Sequence, residues 1–308
     1  MTRTTTSLVV LVAATAFAQQ QAPGRPKITG IDHVAFYTTD PVANARLYNT
    51  VLGIPPTIFP TEPGQSQGFQ IGRQSVVYTP APDQKSNDRM DHVAFRTDDC
   101  EALRSYLRTM GVAVPNSIDK VGDARLGFKM KDPEGHVIEF VQLQPVPPGG
   151  VTASMVGGLD PVSRCLIHTG FIVHDRAAED HFYKDILGFH LYWYGGMKPD
   201  RTDWVAMQVP DGTDWLEYML NQPMNPDLRL TGVMNHISLG VKDMKAAQAK
   251  LESRGWKPHG DEHSQMGKDG KWQLNLFDPD QTRIELMEFT PAEKPCCSEF
   301  QGQHPTEQ

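Results

Sequence analysis

Seven side chains in this 308-residue chain have the types and spacing of metal ligands. His33, His92, His168 and His236 each open a copy of one phrase, seen in IDHVAFYTTDP, MDHVAFRTDDC, IHTGFIVHDR and NHISLGVKDM. An aspartate follows each histidine by 7 residues (Asp40, Asp99, Asp175, Asp243), and a glycine follows it by 19 or 20 (Gly53, Gly111, Gly188, Gly255). Two glutamates recur as well: Glu139 in KDPEGHVIEF and Glu285 in FDPDQTRIEL, each 7 residues after an Asp-Pro aspartate. The seventh candidate is Glu217, in DGTDWLEYML. Aligning Gly72 with Gly212 puts Val77 at the corresponding place in the first half. The candidates therefore divide into His33, His92 and Glu139, and His168, His236, Glu217 and Glu285.

Imidazole and carboxylate donors suit a divalent metal: Zn, Ni, Co, Mn or Fe. With four protein donors, an octahedral ion keeps two positions for substrate oxygens. It would act as a Lewis acid on a carbon acid next to a carbonyl. Glu217 or Glu285 would be the catalytic base. With three donors the set is the 2-His-1-carboxylate triad of non-haem Fe(II) oxygenases.

These side chains need a scaffold that brings distant segments together, and the repeat supplies one. After each histidine the residues alternate. His33, Ala35 and Tyr37 share one face of a strand, and Val34 and Phe36 share the other. The aspartate fits a helix N-cap. The next stretch has helical spacing: Ala178, Phe182 and Ile186 fall on one stripe within Arg176–Leu187. The glycine ends the helix in a left-handed conformation. Strand-like runs follow (GFQIG, SVVYT, LGFKMKD, HVIEFVQ; HLYWYG, WVAMQV, WLEYML, WQLNLFD, RIELMEF). Each unit reads as strand–helix–strands. The expected fold is α+β, with four βαβββ modules paired into two cup-shaped domains over 27–145 and 164–290. If paired modules are pseudo-symmetric, their first strands meet and the ligands converge. Residues 146–163 lie in a Pro- and Gly-rich linker.

The ends carry separate signals. Residues 1–18 combine an early arginine, the apolar SLVVLVAATAFA and an Ala-Phe-Ala cut, as in a secretory signal peptide. Export to the periplasm or medium is expected, with no membrane span after cleavage. Residues 291–308, including adjacent Cys296 and Cys297, are polar and Pro-containing and are expected to be a disordered tail. Pairing among the four cysteines is open. The net charge of −8 argues against a nucleic-acid partner. The partner expected is a small molecule, and the chain is a monomer of two domains or a homodimer.

The residues quoted above resemble the vicinal oxygen chelate (VOC) superfamily, which includes glyoxalase I, extradiol dioxygenases, methylmalonyl-CoA epimerase and bleomycin resistance proteins. The resemblance rests on the βαβββ order, the opening in IHTGFIVHDRAAEDHFYKDILGF and the Asp-Pro…Glu endings. It implies a metal at the base of each cup, held by the seven residues named. It also implies a glyoxalase-type isomerase, epimerase or lyase acting through a metal-stabilised enediolate. A non-haem Fe(II) extradiol-type dioxygenase is one alternative. Members of that class carry a tyrosine three residues before the Asp-Pro turn, where this chain has Lys129 and Asn275. A non-catalytic ligand-binding or resistance protein is the other alternative. Strand alternation makes Arg96, Tyr37 and His174 pocket candidates. For Arg96 the competing reading is a salt bridge, and for His174 a structural role beside the helix cap.

Overall fold

The computed structural model describes residues 24–61, 64–83, 85–121, 124–145, 160–259 and 262–307. The segment expected to be a signal peptide and most of the expected linker lie outside them. Module one is β1 (Ile28–Thr38), α1 (Pro41–Ala45), β2 (Pro56–Thr61), β3 (Gly64–Ile71) and β4 (Gln74–Pro80). Module two is β5 (Met90–Thr97), α2 (Cys100–Thr109), β6 (Asp119–Val121), β7 (Arg125–Lys131) and β8 (Val137–Leu143). Module three is β9 (Leu166–Ile172), α3 (Arg176–Glu179), β10 (His190–Gly195), β11 (Trp204–Gln208) and β12 (Trp215–Met219). Helix α4 (Leu228–Met234) leads into module four: β13 (His236–Val241), α5 (Met244–Ser253), β14 (Gln265–Met266), β15 (Trp272–Phe277) and β16 (Arg283–Glu288).

The strands form two curled eight-stranded sheets of identical topology, β2-β3-β4-β1-β5-β8-β7-β6 and β10-β11-β12-β9-β13-β16-β15-β14. In each sheet the first strands of two modules lie antiparallel at the centre, β1 on β5 and β9 on β13. That junction is the meeting of first strands expected from the repeat.

The repeat's aspartates and glycines do what their types suggest. Asp40, Asp99, Asp175 and Asp243 each accept a hydrogen bond from the backbone N–H three residues on, at 2.9–3.1 Å. Gly53, Gly111, Gly188 and Gly255 all have φ between 67° and 86°, where a side chain would be strained. The helical stripe after Arg176 departs from expectation. α3 is only one turn of α-helix, and Asp180–Ile186 continues as a π-helix, with Leu187 N–H bonding to Phe182 C=O. Arg46–Val51 does the same after α1. The wider turn brings both Phe182 and Tyr183 into the core.

The two domains share one apolar core, with Phe95 edge-on to Phe189 at 5.3 Å. They also exchange turns. The Asp-Pro turn of domain one docks on domain two, with Tyr183 Oη donating to Asp132 and His174 N–H to Glu134. The Asp-Pro turn of domain two docks back, with Tyr78 Oη donating to Asp278 and Thr39 N–H to Asp280. Gln74 sits buried between β1 and β9. It bonds both backbone groups of Leu166 and donates to Ile31 C=O and Asp214.

The C-terminal segment corrects the expectation of a disordered tail. Its backbone finds fixed partners: Trp193 Nε1 donates to Cys296 C=O, Gln301 N–H to Tyr192 C=O, and Gln208 Nε2 to Gln303 C=O. Ser298 Oγ accepts from Tyr194 N–H and donates to Tyr194 C=O. Phe300 packs 4.8 Å from the Tyr192 ring. Composition alone hid this, because the ordering comes from aromatic strand residues more than 90 positions upstream. Cys296 and Cys297 are bonded to each other, and Cys100 and Cys165 are buried.

Candidate metal centres

Register explains the convergence of ligands. In the second sheet one row across the strands reads His168–Ser238–Glu285, and the next reads Glu217–Gly170–His236. In the first sheet the rows are His33–Ala94–Glu139 and Val77–Ala35–His92. In each row a small residue separates the outer two, which leaves room for the candidate ligands to lean together. A Cβ on Gly170 would come 2.4 Å from His236 Cε1. Val77 occupies the position of Glu217, so the first cup has one carboxylate fewer.

In the second cup His168 Nε2 lies 3.1 Å from His236 Nε2 and 3.3 Å from Glu285 Oε2. Glu217 Oε2 lies 3.8 Å and 3.6 Å from the two histidine nitrogens. Both imidazoles are buried, and burial pushes their pKa values well below the usual range. They are neutral at pH 7, with lone pairs available. Burial raises the Glu285 carboxyl. Burial, and then the neighbouring Glu285 charge, raises Glu217 to about 8. Glu285 Oε2 is buried and makes no hydrogen bond, as expected of an atom shaped for a cation. Arg283 Nη2 lies 2.7 Å from His236 Nε2, a contact that coordination there would displace. Glu217 and Glu285 line a 370 Å³ cavity walled by Trp193, Trp204, Trp215 and Phe300, with Asn275, Gln273 and Arg283 on its polar side. Trp272 is outside this wall and 38% exposed.

In the first cup the two Nε2 atoms are 3.0 Å apart, and Glu139 Oε2 lies 3.5 Å from His33 and 3.1 Å from His92. Burial opposes charge here too, but the two histidines outweigh it and hold Glu139 well below the usual carboxylate range. Phe59 packs 4.5 Å from the His33 ring. Both donor sets fit a divalent cation by the types and convergence of their atoms.

Of the pocket candidates, Arg96 turns away to pair with buried Asp32 at 3.0 Å and to donate to Arg73 C=O. Tyr37 donates its hydroxyl to Asp91. His174 lies beyond the end of β9, where the strand's alternation no longer holds. It lines a separate 890 Å³ groove between the domains. None of the three lines the second cup's cavity.

Two residues escaped the sequence reading. Asp32 Oδ2 is 2.9 Å from His33 Nδ1, and Asp91 Oδ2 is 2.7 Å from His92 Nδ1. The signal was present, since both first-domain copies read Asp-His while the second-domain copies read Ile-His and Asn-His.

A family profile described as the Glyoxalase/Bleomycin resistance protein/Dioxygenase superfamily matches residues 30–140 and 166–286. The chain belongs to that superfamily. The two matched stretches are the two cups, so this tandem member carries the fold twice. Comparison with curated protein sequences finds no match. Among solved structures, it is similar to a variant of homoprotocatechuate 2,3-dioxygenase from B. fuscum in complex with HPCA (TM-score 0.62, 18% identity, 86% of this chain and 72% of that one). It is similar to the Mn(II)-bound glyoxalase from Novosphingobium aromaticivorans (0.60, 16%, 85% and 83%). It also resembles the homoprotocatechuate 2,3-dioxygenase of Arthrobacter globiformis (0.60, 15%, 89% and 84%). At these identities the likeness is one of fold.

Proposed function

We propose that this superfamily member is a divalent-metal-dependent enzyme, and that its second cup moves a proton at a carbon next to a carbonyl in a small, oxygen-chelating substrate. The observation that carries this reading is Glu217. It meets both histidines and Glu285 at the base of a cavity, and its first-cup counterpart is Val77. His168, His236, Glu285 and Glu217 would hold the metal, which when bound supplies Lewis acidity to substrate oxygens. Glu217 is placed to take and return the proton. Burial raises this carboxyl above the ordinary range in the metal-free site, the direction that suits a proton acceptor, and Glu217 stands farther from His168 Nε2 than Glu285 does, at 3.8 Å against 3.3 Å. Arg283 and Asn275 offer hydrogen-bond donors to substrate oxygens, and the tryptophans keep water from the apolar side.

The test is solvent deuterium exchange into dihydroxyacetone and hydroxyacetone, followed by NMR. Glu217→Gln is expected to retain metal and lose exchange by roughly 10²–10⁴-fold. Full exchange in that variant would remove Glu217 as the base. Ring cleavage is the second reading, favoured by the dioxygenase neighbours and opposed by Asn275 and Lys129 at the tyrosine position. Oxygen uptake with catechols by the Fe(II)-loaded protein would establish it. Tight ligand binding with neither activity would establish a binding or resistance role. The reading includes export, which N-terminal sequencing of the mature protein checks.

A further inference from the structure

The Asp-Pro turn that domain one docks on domain two carries a group of side chains that neither cup uses. Asp132 and His136 stand at the ends of the turn, and Glu179 of α3 meets them from domain two. One ligand atom from each of the three lies within 4.8 Å of the others. Asp132 Oδ2 is 2.7 Å from His136 Nδ1 and accepts from Tyr183 Oη at 3.3 Å. Its Oδ1 takes the N–H groups of Glu134, Gly135 and His136, which fixes the carboxylate in place. Phe171 stacks on the His136 ring at 4.0 Å and fixes its plane. Glu179 Oε1 accepts from Glu134 N–H at 3.1 Å. Glu179 is fully buried, and its Oε2 makes no hydrogen bond.

Two buried carboxylates brought to one point are costly unless a cation answers them. Among the described residues no lysine or arginine forms an ion pair with Asp132 or Glu179, and the base beside them is His136. The fold itself does not ask for this trio. The reciprocal turn, Asp278–Thr282, is closed in the same way, with Asp278 Oδ1 accepting from Asp280 and Thr282 N–H. It has Thr282 where the first turn has His136. The residue 11 places after the module-one histidine is Asn44, whereas the same place in module three holds Glu179. Docking is therefore achieved without a histidine or a glutamate on one side, and both appear on the other. A cation also has a way in. His136 is 23% exposed at its side chain and, with Glu134, lines the 890 Å³ groove between the domains. Asp88, Asp91 and Asp175 add carboxylates to that lining, which includes no lysine or arginine.

We infer that Asp132, His136 and Glu179 form a divalent-cation site, separate from both cups, that clamps the two domains together. One imidazole and two carboxylates suit Mn(II), Co(II) or Zn(II), with the remaining positions left to water. His136 binds through Nδ1, the nitrogen facing Asp132, and keeps its hydrogen on Nε2. Because the ligands come from both domains, an ion here stabilises the docked arrangement by mass action. The inference shares no residue with either cup and does not depend on the reaction proposed for the second.

The experiment counts the ions bound by the full-length apo-protein in equilibrium dialysis against Co(II), and follows urea unfolding with and without the ion. A His33→Ala/His168→Ala background takes the cups out of the count. That background is expected to keep one ion per chain and to unfold at a higher urea concentration when Co(II) is present. Glu179→Gln, which keeps the side chain's size and an acceptor for Glu134 N–H, should weaken this ion at least about 10-fold and abolish the urea shift. His136→Thr, which installs the residue that the reciprocal turn already tolerates, should do the same. If the double background does not fold, the count is made in otherwise wild-type protein, where each of the two substitutions should lower the number of bound ions by one. A background that binds no ion, with unfolding indifferent to Co(II), would overturn the inference and show that the two carboxylates only share a proton. An ion that survives both Glu179→Gln and His136→Thr at unchanged affinity would overturn it too. Absence of deuterium exchange in wild type would refute the proposed reaction and leave this site standing.

Discussion

Asp214 is the clearest test of how the two domains are joined. It lies in the turn before β12, with Oδ2 accepting from Ile31 N–H at 2.8 Å and from Gln74 Nε2 at 3.1 Å, both in domain one. Burial pushes its carboxyl up to about 7, against an ordinary value of 3.8. A carboxyl raised on folding binds its proton more tightly in the native state. The resulting penalty is absent below the unfolded pKa and complete above the folded one, so stability falls as pH rises from about 4 to about 7. At about 1.4 kcal/mol per pH unit, the penalty is roughly 1–2 kcal/mol at pH 5 and roughly 4 kcal/mol above pH 7. Asp214→Asn keeps an oxygen for Ile31 and Gln74 and cannot ionise. Between pH 5 and pH 8.5, wild type should therefore lose about 3 kcal/mol more stability than the variant. Urea unfolding of both proteins at both pH values gives this difference of differences and cancels every other titrating group. Parallel losses in the two proteins would show that Asp214 is not held neutral at the junction. A variant uniformly weaker by several kcal/mol would show that the charge itself does the joining.

Two further outcomes follow from packing. Gly170→Ala should push His236 out of line, because the added methyl would sit 2.4 Å from Cε1. Its cost in stability should be about 1–3 kcal/mol, and Co(II) titration should show the His168-dependent site weakened while the first cup, which has Ala35 at this position, is unaffected. Truncation after Pro295 should cost at least about 2 kcal/mol in urea unfolding, since it uncovers Tyr192 and Trp193 and removes the Phe300 wall. An unchanged midpoint would mean the tail does not pack.

The modules and the convergence of the seven candidate ligands were legible because a repeat leaves a period in the sequence, and because histidine or glutamate inside an apolar strand demands a partner. Asp40 and Gly53 act locally, through caps and φ, so their roles could be read three residues at a time. His174 lies off the face of His168 because the strand alternation stops at Ile172, where β9 ends. The tail misled for the opposite reason: its few apolar residues are enough only because Tyr192, Trp193 and Tyr194 offer them a surface. Long-range docking of this kind has no periodic signature.

The difference between the cups could be read only in part. Val77 against Glu217 is visible once the modules are aligned, and it suggests a weaker first cup. Register and hydrogen bonding change that weighting. The first cup gives up one direct donor but holds both imidazoles by carboxylates from behind. The second gains a donor and a cavity, yet leaves one imidazole nitrogen unpaired and another facing Arg283. A site whose imidazoles are held from behind by carboxylates suits holding an ion. A site with a protonatable carboxylate beside an open chamber suits turning a substrate over. Under the proposed function, duplication of one cup followed by divergence at Val77/Glu217, Asp32/Ile167 and Asp91/Asn235 would be enough to separate those two tasks within a single chain.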